Sequence, residues 1–155
     1  MNKEKVRIPQ NIIQTISVAG ESVVLFYLYT KLKLKESNWI VCKNYSEKGT
    51  DILLLKVKNN KNRKAIDKIR IEVKTREKLE TITKNTIRVQ FNLSKLEKEN
   101  SDYVVCLWLE LHKFLIVPTN EFKPVGKKFR YTVLKKEINE DEYFDNWELI
   151  KEKLK

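Results

Sequence analysis

The sequence predicts an α/β fold, a mixed central β-sheet flanked by α-helices, from three observations. Behind Pro9, apolar residues recur at 12, 16, 19, 23 and 26, which is a helical rhythm. The stretch AIDKIRIEVKT, residues 65–75, alternates cleanly, with Ile69, Ile71 and Val73 on one face and Arg70, Glu72 and Lys74 on the other. The chain reads in the order helix, three strands, helix, two strands and a closing segment, which suits a layered arrangement of helices on a sheet.

The first helix is expected to continue to about residue 34. NWIVCKNYS (38–46) and TDILLLKVK (50–58) are short runs of bulky residues joined by Glu47, Lys48 and Gly49, so they read as an antiparallel hairpin. NNKNRK is a polar turn, and the alternating stretch behind it is the third strand. TIRVQF (86–91) is a strand or strand edge, and NLSKLEKEN a short helix started by Asn92 or Ser94. DYVVCLWLELHKFLIVP (102–118) holds two strands turning near His112, with Pro118 ending them. KKFRYTVLK (127–135) is expected as an outer strand and DEYFDNWELIKEKLK (141–155) as an amphipathic helix. At 155 residues and 18.5 kDa, without repeats or a Gly/Ser linker, residues 1–155 are expected to form one domain.

Lys and Arg number 32 against 21 Asp and Glu, a net charge of +11 spread along the chain. A polyanionic partner follows as an expectation, since neutralising phosphates releases counterions; frequent lysine in AT-rich coding sequence gives the same balance without a partner. Cys42 and Cys106 lie in apolar runs with no cysteine or histidine at metal-ligand spacing, and read as reduced core residues. No run of about eighteen uncharged apolar residues exists, and MNKEKVRIPQ lacks the apolar segment of a signal peptide. A soluble, cytoplasmic protein with no membrane partner is expected.

The chemistry-bearing residues are acidic. Glu72 and Lys74 are two apart on a strand, so both side chains leave one face about 6.5–7 Å apart. If the second and third strands pair antiparallel, Asp51 at the head of one comes beside Glu72 near the end of the other. Two carboxylates meeting at a strand end can hold Mg²⁺, which prefers oxygen ligands and keeps waters to share with phosphates. Lys74 could then orient the attacking water and offset developing charge. Glu21 shares a helical stripe with Val18, Val24, Leu25 and Leu28, a costly place for a carboxylate unless it meets a metal, a water or a lysine. Packed over the sheet, it would complete the site.

The order Glu21, then Gly49-Thr50-Asp51-Ile52, then Ile71-Glu72-Val73-Lys74 resembles the PD-(D/E)XK nuclease superfamily, which has the restriction-endonuclease-like fold, over roughly residues 15–110. Among its branches the resemblance is to archaeal Holliday junction resolvases and small restriction-type endonucleases. It implies cleavage of DNA with Mg²⁺, for which Mn²⁺ substitutes, and frequently a homodimer. It implies that Asp51 and Glu72 bind the metal, that Lys74 serves the water and that Glu21 binds metal directly or through water. Thr50 stands where the family name has proline, and the long Asp51 to Glu72 separation is accounted for by the polar turn. Gln90 follows where some branches carry a useful glutamine.

Blander readings stand beside these. Glu-Lys pairs such as Glu97-Lys98, and Glu137, usually make solvated faces. Trp39, Trp108 and Trp147 are more often core than base-stacking platforms. Lys48, and Lys56, Lys58, Lys61, Arg63 and Lys64 around the polar turn, are either DNA phosphate contacts or a soluble surface. His112, in a turn, is a weak candidate for a general base. The expected function is a metal-dependent endodeoxyribonuclease acting on a junction, a duplex site or an intron target. The alternatives are a non-catalytic DNA-binding module of the same fold and an RNA-directed nuclease. A homodimer is expected through the apolar segments 103–117 and 143–150.

Overall fold

The computed structural model describes residues 9–58, 64–76, 81–83, 86–109 and 111–155. Its regular elements in chain order are helix α1 (Gln10–Lys31), strands β1 (Trp39–Lys43), β2 (Ile52–Val57), β3 (Ala65–Arg76), β4 (Thr81–Thr83) and β5 (Thr86–Leu93), and helix α2 (Lys95–Asn100). Strands β6 (Tyr103–Trp108), β7 (Lys113–Pro118), β8 (Lys123–Val125) and β9 (Lys128–Leu134) and helix α3 (Glu148–Lys151) follow.

Two sheets form, where the sequence suggested one. The first has the order β1-β2-β3-β6-β7 and is mixed, because β3 and β6 run parallel while its other pairs are antiparallel. The second is antiparallel, with the order β4-β5-β9-β8. The segment expected as an outer strand is therefore interior, as β9 lies between β5 and β8. The reason is visible in β6, whose six residues are all buried. Val105 and Leu107 pack with α1 residues Val24 and Leu28, whereas Val104, Cys106 and Trp108 pack with Val89, Phe91 and Leu93 of β5. A strand without polar alternation must be covered on both faces, and the second sheet covers the face that α1 leaves open.

α1 follows Pro9, whose carbonyl accepts from the Ile12 and Ile13 amides at 3.0 and 3.2 Å. Gly20, Val24 and Leu28 form its buried stripe. A Cβ on Gly20 would lie 1.8 Å from Thr75 Oγ1, so the glycine lets α1 close directly on β3. The opposite face is uncharged, and Val18, Phe26 and Tyr29 are exposed there, Phe26 by 62%, while Ile12 and Ile13 are exposed near the start of the helix. Val18, expected on the Glu21 stripe, belongs to this outer face. By length and composition α1, with mean hydropathy 1.4, is long and apolar enough to cross a membrane. Its central residue Glu21 is nevertheless paired to the sheet, as described below.

The C-terminal segment departs from the expected helix. Tyr143 O accepts from Ile116 N, the Asp145 amide donates to Phe114 O, and Phe144 bridges Leu115, so residues 143–145 extend the β7 edge. Asp145 then turns with φ 48°, and only Glu148–Lys151 is α-helical before a short 3₁₀ turn. Open backbone groups on an edge strand outweighed local helical periodicity here. The segments expected to form a dimer interface are instead core: Val104 to Leu107, Phe114 to Val117, Trp147 and Ile150 are buried. All three tryptophans are buried as well. Trp39 donates to Leu154 O at 2.9 Å, and Trp147 packs against Tyr27 and Phe114.

Candidate active site

The hairpin register places Asp51 beside Glu72. Ile52 pairs with Ile71, the Asp51 amide donates to Ile71 O at 3.0 Å, and Thr50 Oγ1 donates to the same carbonyl at 3.1 Å. Asp51 Oδ2 in turn accepts from the Val73 amide at 2.9 Å. Thr50 thus supplies a side-chain tie to β3. Gly49 adopts φ 82°, and a Cβ there would lie 2.7 Å from Leu96 O, so the loop before Asp51 packs directly on the backbone of α2.

Glu72 is only 5% exposed. Its Oε1 accepts from Lys74 Nζ at 2.8 Å, as alternation along β3 requires of residues two apart. Burial and the neighbouring Asp51 charge push the Glu72 carboxyl up to about 8, against the pull of Lys74. Burial also raises Asp51; the Val73 amide and Lys74 oppose that rise, and the Glu21 charge adds to it. One step beyond the Ile52–Ile71 pair, Asp51 and Glu72 are neighbours whose charges act on each other. Two neighbouring acids, one buried and one half-buried, resist full ionisation of both unless a cation joins them.

Glu21 arrives from the other face of the sheet. Lys43 is opposite Ile52, which packs with α1, so Lys43 points toward that helix and its Nζ meets Glu21 Oε2 at 2.8 Å. Glu72 and Lys74 are opposite Val104 and Cys106, on the face covered by the second sheet. The carboxylate on the apolar stripe therefore finds a lysine, and Asp51 at the strand end lies between the two groups. Among the described residues no three acidic, histidine or cysteine side chains converge as a ready-made cation cage.

The structure also brings in two residues that sequence reasoning passed over. Lys43 had no signal beyond its place at the end of β1. Glu97 was read as part of a solvated face, but its Oε1 accepts from Lys74 Nζ at 2.7 Å and its Oε2 from the Ser94 amide at 2.7 Å. Ser94 Oγ accepts from the Glu97 amide at 3.3 Å, completing a capping box that starts α2 at Ser94. The Ser94-x-x-Glu97 spacing announces the cap; the contact with Lys74 is tertiary. Desolvation works against the Glu97 charge, yet Lys74 and Ser94 outweigh it and lower its pKa. Lys74 is likewise raised, because Glu72 and Glu97 overcome its own burial.

The remaining candidates lie elsewhere. Lys48 is exposed in the loop one residue before Gly49, at the rim of the site. Lys56, Lys58 and Lys64 lie toward the other end of the β2–β3 pair, with Lys58 about 20 Å along the strand from Asp51. Lys56 sits over the Trp39 ring, 5.7 Å from its centroid. Lys61 and Arg63 lie outside the described residues. Val89, Phe91 and Leu93 enter the core, which turns Gln90 to the outer face of the second sheet. His112, with φ 48°, is exposed in the turn before β7.

No protein-family model matches the chain, and no curated protein matches it in sequence. Among solved structures it is similar to the bacterial homing endonuclease I-Ssp6803I, with 16% identity and a TM-score of 0.59 over 91% of this chain and 92% of that one. It is also similar to Hjc, a Holliday junction resolvase from the archaeon Archaeoglobus fulgidus, with 17% identity and a TM-score of 0.49 over 74% and 82% of the two chains. With its mixed sheet, α1 on one face, and matching architecture along nearly the whole chain, the protein has the restriction-endonuclease-like fold.

Proposed function

We propose that this protein is a metal-dependent endodeoxyribonuclease whose active site is Asp51, Glu72 and Lys74, with Glu21 supporting it from the α1 side. The observation that carries this reading is a pair of neighbouring carboxyls, the buried Glu72 and the half-buried Asp51, with Lys74 Nζ hydrogen-bonded to Glu72. That donor set fits a divalent cation: it is all oxygen, desolvated, and short of one positive charge. Asp51 and Glu72 would hold Mg²⁺, or Mn²⁺ in its place. When bound, the ion supplies Lewis acidity and lowers the pKa of a water.

The chain's own groups do the rest. The Val73 amide fixes Asp51, so that one oxygen is committed to the backbone. Lys74 orients the attacking water through a donated hydrogen bond and offsets the negative charge that grows on the phosphate oxygens. Lys43 pairs with Glu21, so the helix–sheet interface holds no unpaired carboxylate there. Lys48 is the phosphate contact nearest the site; the more distant Lys56, Lys58 and Lys64 fit outlying contacts along a duplex or branched DNA. An intracellular, reducing setting accords with Cys42 and Cys106, which are both free.

The direct test is incubation with supercoiled plasmid and with a synthetic four-way junction, each with Mg²⁺, Mn²⁺ or EDTA. Cleavage of either DNA with metal and none with EDTA is expected; no cleavage of either, or cleavage unaffected by EDTA, overturns the reading. DNA affinity should fall with salt by a log–log slope of about 0.9 per phosphate contacted. A flat titration from low to physiological salt would count against DNA as the partner.

A homodimer belongs to the same proposal, with its interface moved to α1. The outer face of that helix is uncharged on a chain of net charge +11 and exposes Val18, Phe26 and Tyr29 among Thr15 and Ser22, so two copies meet there without charge repulsion. Phe26→Glu is expected to yield monomers in light scattering while leaving folding within about 0.5 kcal/mol of wild type. A wild-type protein that is already monomeric at working concentration rules this interface out.

A further inference from the structure

Lys74 is hydrogen-bonded to two carboxylates, and only one of them belongs to the proposed cation pair. Its Nζ lies 2.8 Å from Glu72 Oε1 and 2.7 Å from Glu97 Oε1, and both bonds are charge-assisted. A cation bound by Glu72 weakens its hold on Lys74, since the metal competes for lone pairs and repels the ammonium. Lysine's long stem then has many rotamers to escape into. Glu97 sits in the opposite situation. Its second oxygen is tied to the Ser94 amide, the Leu96 carbonyl next to it packs against Gly49, and Ser101 Oγ donates to the Glu97 carbonyl at 2.6 Å, so α2 is fastened to the Asp51 loop and at its own C-terminal end.

Building on the nuclease reading above, we infer that Glu97 is a positioning residue: it anchors the Lys74 ammonium when Glu72 is committed to a cation. α2 is thereby part of the active-site framework, and the loop carrying Gly49 ties the lysine anchor and Asp51 into one unit.

Glu97→Gln separates this role from the capping role. Glutamine at that position still serves a capping box, but it has one acceptor oxygen for two donors, the Ser94 amide and Lys74 Nζ. The comparison variant is Asn100→Ala, which removes the side-chain bond from Asn100 Nδ2 to Leu96 O and so loosens α2 without altering the Glu97 side chain. For Glu97→Gln, kcat is expected to drop about 10- to 100-fold with KM little changed, beyond any change in Asn100→Ala. The ¹⁵Nζ signal of Lys74, read by lysine side-chain NMR with Mg²⁺ present, should be sharp in wild type and in Asn100→Ala, and lost to fast exchange in Glu97→Gln. A sharp Lys74 signal retained in Glu97→Gln overturns the inference, as does a loss of kcat that only follows the melting temperature across the two variants. Should wild type cut no DNA under any metal, the nuclease reading fails, and the ammonium signal alone still decides whether Glu97 holds Lys74.

Discussion

Lys74→Ala is expected to lose DNA cleavage by about 100-fold or more while metal-supported DNA binding stays close to wild type. A donor aimed at charge that develops only in the transition state contributes little to ground-state binding, and removing one such donor typically costs about 10²–10³-fold in rate. The geometry sharpens the expectation, because Glu97 Oε1 holds Lys74 Nζ beside the carboxyl pair at 2.7 Å. Asp51→Ala and Glu72→Ala should also stop cleavage, but through weakened metal binding, and each removes a negative charge next to the phosphates. Glu21→Ala should have a smaller effect on cleavage, since its carboxylate is paired with Lys43 on the other face of the sheet. Single-turnover cleavage and equilibrium binding measured on the same preparations check the pattern. A Lys74→Ala protein, free of contaminating nuclease, that cuts near the wild-type rate with Mg²⁺ would show that the active site lies elsewhere.

The second large effect is on stability against pH, and it is reversed by metal. The Glu72 carboxyl in the folded protein is held up to about 8, above its ordinary value of 4.5, first by burial and then by Asp51. Between those two values the folded protein keeps a proton that the unfolded chain releases, so rising pH favours unfolding by up to about 1.4 kcal/mol per unit, and the slope ends above about 8. Asp51, also raised, acts in the same direction. Metal-free protein is therefore expected to melt at progressively lower temperature from pH 5 to 8. With saturating Mg²⁺ that slope should flatten, because a cation replaces the proton as counter-charge, and the stabilisation by Mg²⁺ should be larger at pH 8 than at pH 6. Glu72→Gln should flatten the slope without metal and melt higher than wild type at pH 8. Equal slopes in all three samples would mean that Asp51 and Glu72 are not a coupled carboxyl pair.

Much of the site was legible because it is built on strand geometry. Alternation along residues 65–75 put Glu72 and Lys74 on one face, and an antiparallel hairpin brought the first residue before β2 opposite the end of β3. Glu21 was legible as an oddity, a carboxylate within an apolar stripe, although which partner would satisfy it was not. Three partners were chemically acceptable, and the one that occurs, Lys43, depends on how far along β1 the helix crosses. Glu97 was misread for a different reason. On its own helix it is a capping residue among lysines, and nothing local distinguishes a cap that also holds a half-buried lysine of the sheet from one that faces water.

The sequence by itself determined the mixed sheet with α1 against it and the Asp51, Glu72 and Lys74 grouping, because these follow from the 2.0 and 3.6 periodicities and from one hairpin. Only the tertiary structure decided that a second sheet covers the other face of β6, that residues 143–145 join the β7 edge in place of a helix, and that Glu97 turns inward to Lys74. Periodicity reports which face of an element is apolar. It carries no information on what covers that face, which open strand edge captures a distant segment, or which of many like charges meets a buried ammonium; those are settled by competition among contacts far apart in the chain.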